Sequence, residues 1–291
     1  METVDLLKQV RAIEIRTKGL SSQIFSGEYH SAFKGRGMAF SEVREYIPGD
    51  DIRSIDWNVT ARFNHPYVKI FEEEREMTVM LLVDISGSGN FGTTKQFKRE
   101  LITELCAVLA FSAIQNNDKT GVMLFSDRVE KFIPPKKGRT HILRIIKELL
   151  EFQPEGKGTD LASGLRYFTN MVKKRCIAFV ISDFVSPDFS EALKVASRKH
   201  DLVAIRINDQ REETIPDMGL VYLEDTETGS RVLVDTSDPK TREHYKRGFI
   251  EREKYLVEQL NRSGVDHVKI STGESYVGPL VNLFKRRDKK P

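Results

Sequence analysis

The chain has 291 residues, 39% hydrophobic and 31% charged, enough for one large globular domain or for a domain of about 200 residues with a smaller appendage. Lysine and arginine exceed aspartate and glutamate by 46 to 43, and this surplus is too small to predict nucleic acid as a partner. Two cysteines without CxxC spacing indicate a reducing compartment, and no apolar run approaches the ~20 residues of a membrane span, so we expect a cytoplasmic protein.

Residues 1–76 predict an appendage whose pattern differs from that of the remaining chain. Apolar residues recur at helical spacing over residues 6–24, which indicates an amphipathic helix. Glycine and proline then separate short extended stretches such as residues 68–70. We expect Trp57 and Phe63 to be buried against the following domain, because a part this small needs their apolar surface for stability.

Residues 77–291 alternate between strand and helix patterns, and residues 220–234 predict a hairpin that turns at residues 227–230. Strands are predicted at residues 78–84, 121–125, 129–133, 176–182, 202–207 and 265–270, and helices at residues 93–116, 141–152, 161–173, 191–199 and 241–262. Such alternation predicts an α/β fold with a doubly wound, mostly parallel sheet and helices on both faces.

Oxygen-bearing side chains stand where predicted strands end. The motif Asp84-x-Ser86-x-Ser88 follows the first strand, Asp183 follows the strand most like it in composition, and Thr159 opens a helix. Ligands of open α/β sheets bind beyond the carboxyl ends of the strands, so we expect both aspartates to face one crevice. Oxygen-only ligands suit a hard cation, which predicts Mg²⁺, with Mn²⁺ or Ca²⁺ as alternatives.

This set of residues, in this order, resembles the metal-ion-dependent adhesion site of von Willebrand factor A domains. The resemblance implies that the three hydroxyls touch the ion, that the two aspartates bind it directly or through water, and that one coordination place is left for a carboxylate of a protein partner. The implied metal ligands are Asp84, Ser86, Ser88, Thr159 and Asp183, with Gly87, Gly158 and Asp160 supporting the loops.

The upstream segments at residues 30–37, 43–57 and 58–62 resemble the signature of domain-of-unknown-function family 58, a bacterial group. The similarity extends over roughly residues 10–235. Members carry a von Willebrand factor A-like domain and are typically encoded beside MoxR-type AAA+ ATPases, which implies a non-catalytic adaptor or co-chaperone that binds such an ATPase or its client. Many members also carry membrane helices, so peripheral contact with the inner membrane is an alternative location.

Two enzyme interpretations compete with this one. The run Gly87-x-Gly89-x-x-Gly92 matches a dinucleotide fingerprint, but the acid expected about 20 residues later is missing, since that position falls inside a predicted helix. A metal-assisted hydrolase of phosphatase or nuclease type would use the same metal ligands, with Asp160 as the candidate base. The position two residues after Asp84 is Ser86, which cannot serve as the general acid of a haloacid-dehalogenase-type phosphatase.

The remaining patterns favour structural roles. The basic stretch 285–290 predicts a solvated, frayed tail, although it and the region around Trp57 could also bind nucleic acid, a third class of function. The six histidines lack the spacing of a zinc site, so we expect each at the surface or in a turn.

Overall fold

The structure is a computed structural model, and it describes residues 11–14, 38–73, 77–90, 97–225 and 229–288. The chain divides into two compact units, Lys34–Met77 and the rest. The helix predicted over residues 6–24 lies mostly outside the described residues, and residues 11–14 are helical. The division predicted after residue 76 stays a prediction.

The smaller unit is an antiparallel strand pair with one short helix. Strand β1 (Met38–Glu45) pairs with β2 (Tyr67–Glu73), and helix α1 (Trp57–Phe63) lies between them in sequence. The prediction that Trp57 and Phe63 are buried is wrong, because these side chains are 67% and 61% exposed. No residue of α1 is buried. Phe63 instead contacts the ring of Tyr67 within the same unit, at 5.5 Å between centroids.

The larger unit contains the predicted sheet. Its strand order is β10-β7-β6-β3-β4-β5, parallel throughout except that β5 runs antiparallel to β4. The strands are β3 (Thr78–Asp84), β4 (Lys119–Phe125), β5 (Val129–Lys136), β6 (Ile177–Ser182), β7 (Asp201–Asn208) and β10 (Asp266–Ser271). The α/β doubly wound fold is therefore confirmed.

Helices cover both faces of this sheet. The helices are α2 (Lys98–Gln115), α3 (Arg139–Glu151), α4 (Leu161–Met171), α5 (Ser190–Lys199), α6 (Gln210–Glu213), α7 (Pro239–Arg262) and α8 (Val277–Asp288). On one face of the sheet, Met80 and Val180 pack with α4, α5 and α7. On the other face, Phe179 packs on Phe284 of α8, at 6.5 Å between ring centroids. Helix α2 begins at Lys98, later than predicted, and residues 93–96 lie outside the described residues.

The carboxyl-terminal segment differs from its prediction. Instead of a frayed tail, residues up to Asp288 belong to α8, because Leu280, Leu283 and Phe284 are buried and hold the helix on the sheet. Of the histidines, which we expected at the surface or in turns, His200 lies at the junction of α5 and β7 but is buried, with 1% of it exposed.

The predicted hairpin is confirmed as a separate two-stranded sheet. Strand β8 (Leu220–Glu224) pairs antiparallel with β9 (Arg231–Asp235), with Leu223 opposite Val232. Within the described part of the chain, we find no helix whose length and hydropathy would allow it to cross a bilayer.

Candidate metal centre

The candidate site lies where the strand order of the sheet reverses. Strands β3 and β6 are parallel neighbours, with Val83 opposite Ile181, so Asp84 and Asp183 leave the sheet at the same edge. From there the chain continues to β4 on one side and to β7 on the other, which makes this edge the switch point at which open α/β sheets bind ligands. The two strands are thus neighbours, which is the arrangement that the expected shared crevice requires.

Asp84 is a buried carboxylate, 5% exposed, that is held by neutral donors. Its Oδ1 accepts a hydrogen bond from the backbone N–H of Ser86 at 2.9 Å, and its Oδ2 accepts one from the Ser182 hydroxyl at 2.6 Å. Burial and the nearby charge of Asp183 nevertheless raise the pKa of Asp84 to about 6, against the lowering effect of those donors. A bound cation would favour the ionised form of such a group.

The serine hydroxyls of the motif face each other. Ser86 Oγ lies 3.1 Å from Ser88 Oγ, so alternate residues of one loop present two neutral oxygens side by side. The intervening Gly87 donates its N–H to the carbonyl of Lys157 at 3.0 Å, which ties this loop to the one that carries Gly158 and Thr159. Neither glycine adopts a positive φ.

The loop with Thr159 is tied in turn to the loop that follows β6. The Ser186 hydroxyl donates to the carbonyl of Thr159 at 3.3 Å and accepts from the N–H of Leu161 at 3.1 Å. Thr159 is 6% exposed. The structure thus brings together the three loops that carry the predicted ligands.

Asp160 caps helix α4. Its carboxylate accepts from the backbone N–H of Ser163 at 2.9 Å and from the Ser163 hydroxyl at 2.6 Å. Its own N–H donates to the carbonyl of Ser126 at 2.9 Å. These bonds give Asp160 a structural task at the start of the helix.

A buried lysine at this site was not predicted. Lys98, 1% exposed, places its ammonium 3.3 Å from Asp183 Oδ2 and 2.5 Å from Glu212 Oε1, while Asp183 Oδ1 accepts the N–H of Val185 at 3.2 Å. The sequence signal that could have found it is a cation in the first turn of a helix, where the helix dipole disfavours positive charge unless an acid lies near.

The donors present at this edge suit a hard cation. They are two carboxylates and three hydroxyls, oxygen atoms only, of the kind that Mg²⁺ accepts. In the ranges that the structure covers, no three His, Cys, Asp or Glu side chains are grouped to hold a metal ion, so an ion at this edge would need the hydroxyls as well. The pKa of Asp84 is raised first by its burial and then by the charge of Asp183, so a cation bound between the two acids would offset the second effect.

Comparison with known proteins gives a family and a fold. The family described as "Protein of unknown function DUF58" matches residues 42–255. The uncharacterized protein Rv1480 of Mycobacterium tuberculosis is 29% identical over 286 residues, which cover 97% of this chain and 90% of that protein.

Solved structures are similar at low sequence identity. An aerotolerance-related membrane protein from Bacteroides fragilis superposes with a TM-score of 0.50 and 15% identity, covering 72% of this chain and 99% of that one, and it supports the fold alone. The SpRpn10 VWA domain matches with a TM-score of 0.39 and 13% identity over 71% of this chain and 94% of that one, a likeness too low to carry an argument.

Proposed function

The chain belongs to the DUF58 family and has a von Willebrand factor A-like fold, and we propose that it is a non-catalytic, magnesium-dependent module for binding other proteins. The observation that carries the proposal is the pair of a buried Asp84 and a partly buried Asp183 at the switch point, with the hydroxyls of Ser86 and Ser88 in the loop that follows Asp84. Such a set favours a cation over catalytic proton transfer.

The ion would be held by the five oxygen donors named above. When bound, it would supply positive charge to which a carboxylate of a protein partner could be attracted. The proposed ligands are Asp84, Ser86, Ser88, Thr159 and Asp183, with Gly87, Gly158 and Asp160 supporting their loops.

Lys98 adjusts the charge of this site. Its ammonium pairs with Asp183 and Glu212, so the acids are partly compensated in the protein alone. The lysine therefore lowers the attraction of the site for a second cation, and it keeps the acids from destabilising the fold when no ion is bound.

The partner that we propose is a MoxR-type AAA+ ATPase or a client of it, with this chain as adaptor or co-chaperone in the cytoplasm or at the inner face of the membrane. The support for this choice is the family membership, because members are typically encoded beside such ATPases.

The test is capture of a purified MoxR-type AAA+ ATPase from the same organism, measured by biolayer interferometry with magnesium or with excess chelator. We expect capture by the wild-type protein in magnesium and loss of capture with Asp84→Asn, with Asp183→Asn or on chelation. Asp201→Asn, at the other end of the sheet, is the matched control and should still capture. Capture that survives both substitutions and chelation would contradict the proposal.

The candidate base of the hydrolase alternative, Asp160, is already engaged in capping helix α4. The carboxylate of Asp160 accepts two bonds from Ser163 at the helix cap. Turnover of phosphate esters or nucleic acid that requires Asp183 would overturn the non-catalytic proposal.

A further inference from the structure

One groove is lined by residues of both the candidate metal centre and the β8–β9 hairpin. Its lining includes Ser88, one of the proposed ligands, and Leu223, Val232 and Val234 of the hairpin. Its cavity volume is about 920 Å³. This groove, here called the hairpin groove, is therefore continuous with the metal centre and large enough for several side chains of a ligand.

The hairpin groove is mainly apolar. Leu223 lies opposite Val232 in the antiparallel pairing and Val234 is two residues further on, so the three share one face of the hairpin. Met218 and Val232 are 54% and 60% exposed. A groove lined mainly by apolar side chains is typical of a binding site.

The charged residues that line the groove are one arginine and three acids. Glu212 is paired with Lys98, Glu224 is paired with Arg231 at 2.7 Å, and Asp225 is also engaged in a contact. Among the described residues, no ion pair engages the guanidinium of Arg211, which is exposed and also lines the groove. A ligand with negative charge beside apolar groups fits this arrangement.

Tyr245 adds a hydrogen-bonding group to the lining. Burial, together with the charge of Glu212, raises the pKa of Tyr245, so its hydroxyl stays protonated at neutral pH. Within the described part of the chain no hydrogen bond engages this hydroxyl, which leaves it available to a polar atom of a bound peptide.

We propose that the hairpin groove binds an extended segment of a partner protein, in which one acidic residue occupies the metal centre, the neighbouring apolar residues lie on Leu223 and Val232, and a second acid pairs with Arg211. The proposal rests on the proposed function, since the first acid is the carboxylate that the metal centre is proposed to bind. A chain anchored at Ser88 has this groove directly beside it, which favours a polypeptide over a free small molecule.

The probe is a phage-displayed library of random peptides selected on the wild-type protein in magnesium. We expect selected peptides to carry an acid followed by apolar residues and a second acid. One selected peptide is then synthesised with a fluorophore, and its affinity is measured by anisotropy in magnesium and in chelator.

Val232→Asp should weaken binding of this peptide by at least about tenfold, because it places a charge in the apolar part of the groove. Leu233→Asp is the matched control: Leu233 is the next residue, 54% exposed on the opposite face of β9, and binding should be unchanged. Arg211→Ala should weaken the binding only of peptides that carry the second acid.

Circular dichroism checks that each variant is folded. Leu223→Ser makes the groove less apolar without adding a charge, and it should also weaken binding of the peptide.

The outcomes separate this inference from the proposed function. Binding that needs magnesium and Asp84 but is unaffected by Val232→Asp and Leu223→Ser overturns the groove and leaves the function standing. Binding that depends on Val232 but is indifferent to chelation and to Asp84→Asn overturns the metal-centred function and the anchored segment with it. A selection that enriches no acidic and apolar pattern also overturns the inference.

Discussion

At each end of the central sheet one basic side chain pairs with two acids. At the amino ends of β7 and β10, Asp201 and Asp266 bind the guanidinium of Arg287 at 2.6 and 2.5 Å. At the carboxyl ends of β3 and β6, Asp84 and Asp183 lie near each other, and Lys98 pairs with Asp183 at 3.3 Å.

The difference lies in how completely the acids are neutralised. Arg287 offers separate N–H groups to its two partners, so each acid has a charged donor of its own. Lys98 divides one compact ammonium between Asp183 and Glu212, while the groups that lower the pKa of Asp84 are neutral donors from Ser182 and Ser86. The amino end is therefore a structural clamp, whereas the weaker neutralisation at the carboxyl end fits the metal centre that we propose there.

The largest expected difference between the two ends is in magnesium affinity. Asp84→Asn should weaken Mg²⁺ binding more than about 100-fold, since losing even an outer partner of a metal ligand costs 10–100-fold. Asp201→Asn should leave the affinity unchanged. Isothermal titration calorimetry measures both, and equal effects of the two substitutions would contradict the distinction between the ends.

The amino end should matter more for stability. Arg287→Met leaves Asp201 and Asp266 without their shared donor, and since these acids are partly exposed, at 28% and 20%, we expect a loss of about 2 to 3 kcal/mol in the free energy of unfolding. Urea denaturation measures it. Arg247→Met, which removes an exposed cation of α7, is the control and should change stability little.

A pH effect is expected at the amino end as well. His200 lies beside Phe168, at 4.5 Å between ring centroids, and burial with the charges of Lys199 and Arg175 lowers its pKa to about 4. The unfolded chain, with a pKa near 6.5, binds the proton more tightly, so stability falls as the pH drops from about 6.5 to 4, by about 2 kcal/mol.

His200→Phe should remove this part of the pH dependence, because phenylalanine does not titrate. The substitution gives up only the contact of His200 Nδ1 with Cys176 Sγ at 3.4 Å, since Nε2 has no hydrogen-bond partner within the described structure. Thermal unfolding at a series of pH values checks the slope. A slope between pH 6.5 and 4 equal to that of the wild type would refute the assignment to His200.

The smallest expected effect tests the role of Lys98. Lys98→Met removes the cation that competes for Asp183, so Mg²⁺ affinity should rise about tenfold, while stability without magnesium should fall. Lys131→Met, which breaks a similar pair with Glu148, is the control and should not alter Mg²⁺ affinity. An unchanged or weaker affinity in Lys98→Met would show that the lysine does not oppose the ion.

Strand periodicity and chain order were enough to predict the sheet, because the buried strands read as continuous apolar runs. The position of Asp84 and Asp183 at strand ends gave the expectation of a shared crevice, but the tertiary structure decided that the two strands are neighbours. The same local patterns misplaced Trp57 and missed α8, because burial depends on which surface a helix meets and not on the side chain alone.

The sequence by itself determined the alternation of strands and helices and the positions of oxygen-bearing residues at strand ends, since both depend on local spacing along the chain. Only the tertiary structure decided that Lys98 and Glu212 join Asp183, that Arg287 clamps Asp201 and Asp266, and that the hairpin and Ser88 line one groove. These contacts join residues far apart in the chain, and such pairs leave no periodic signal because their distance in space is fixed by packing.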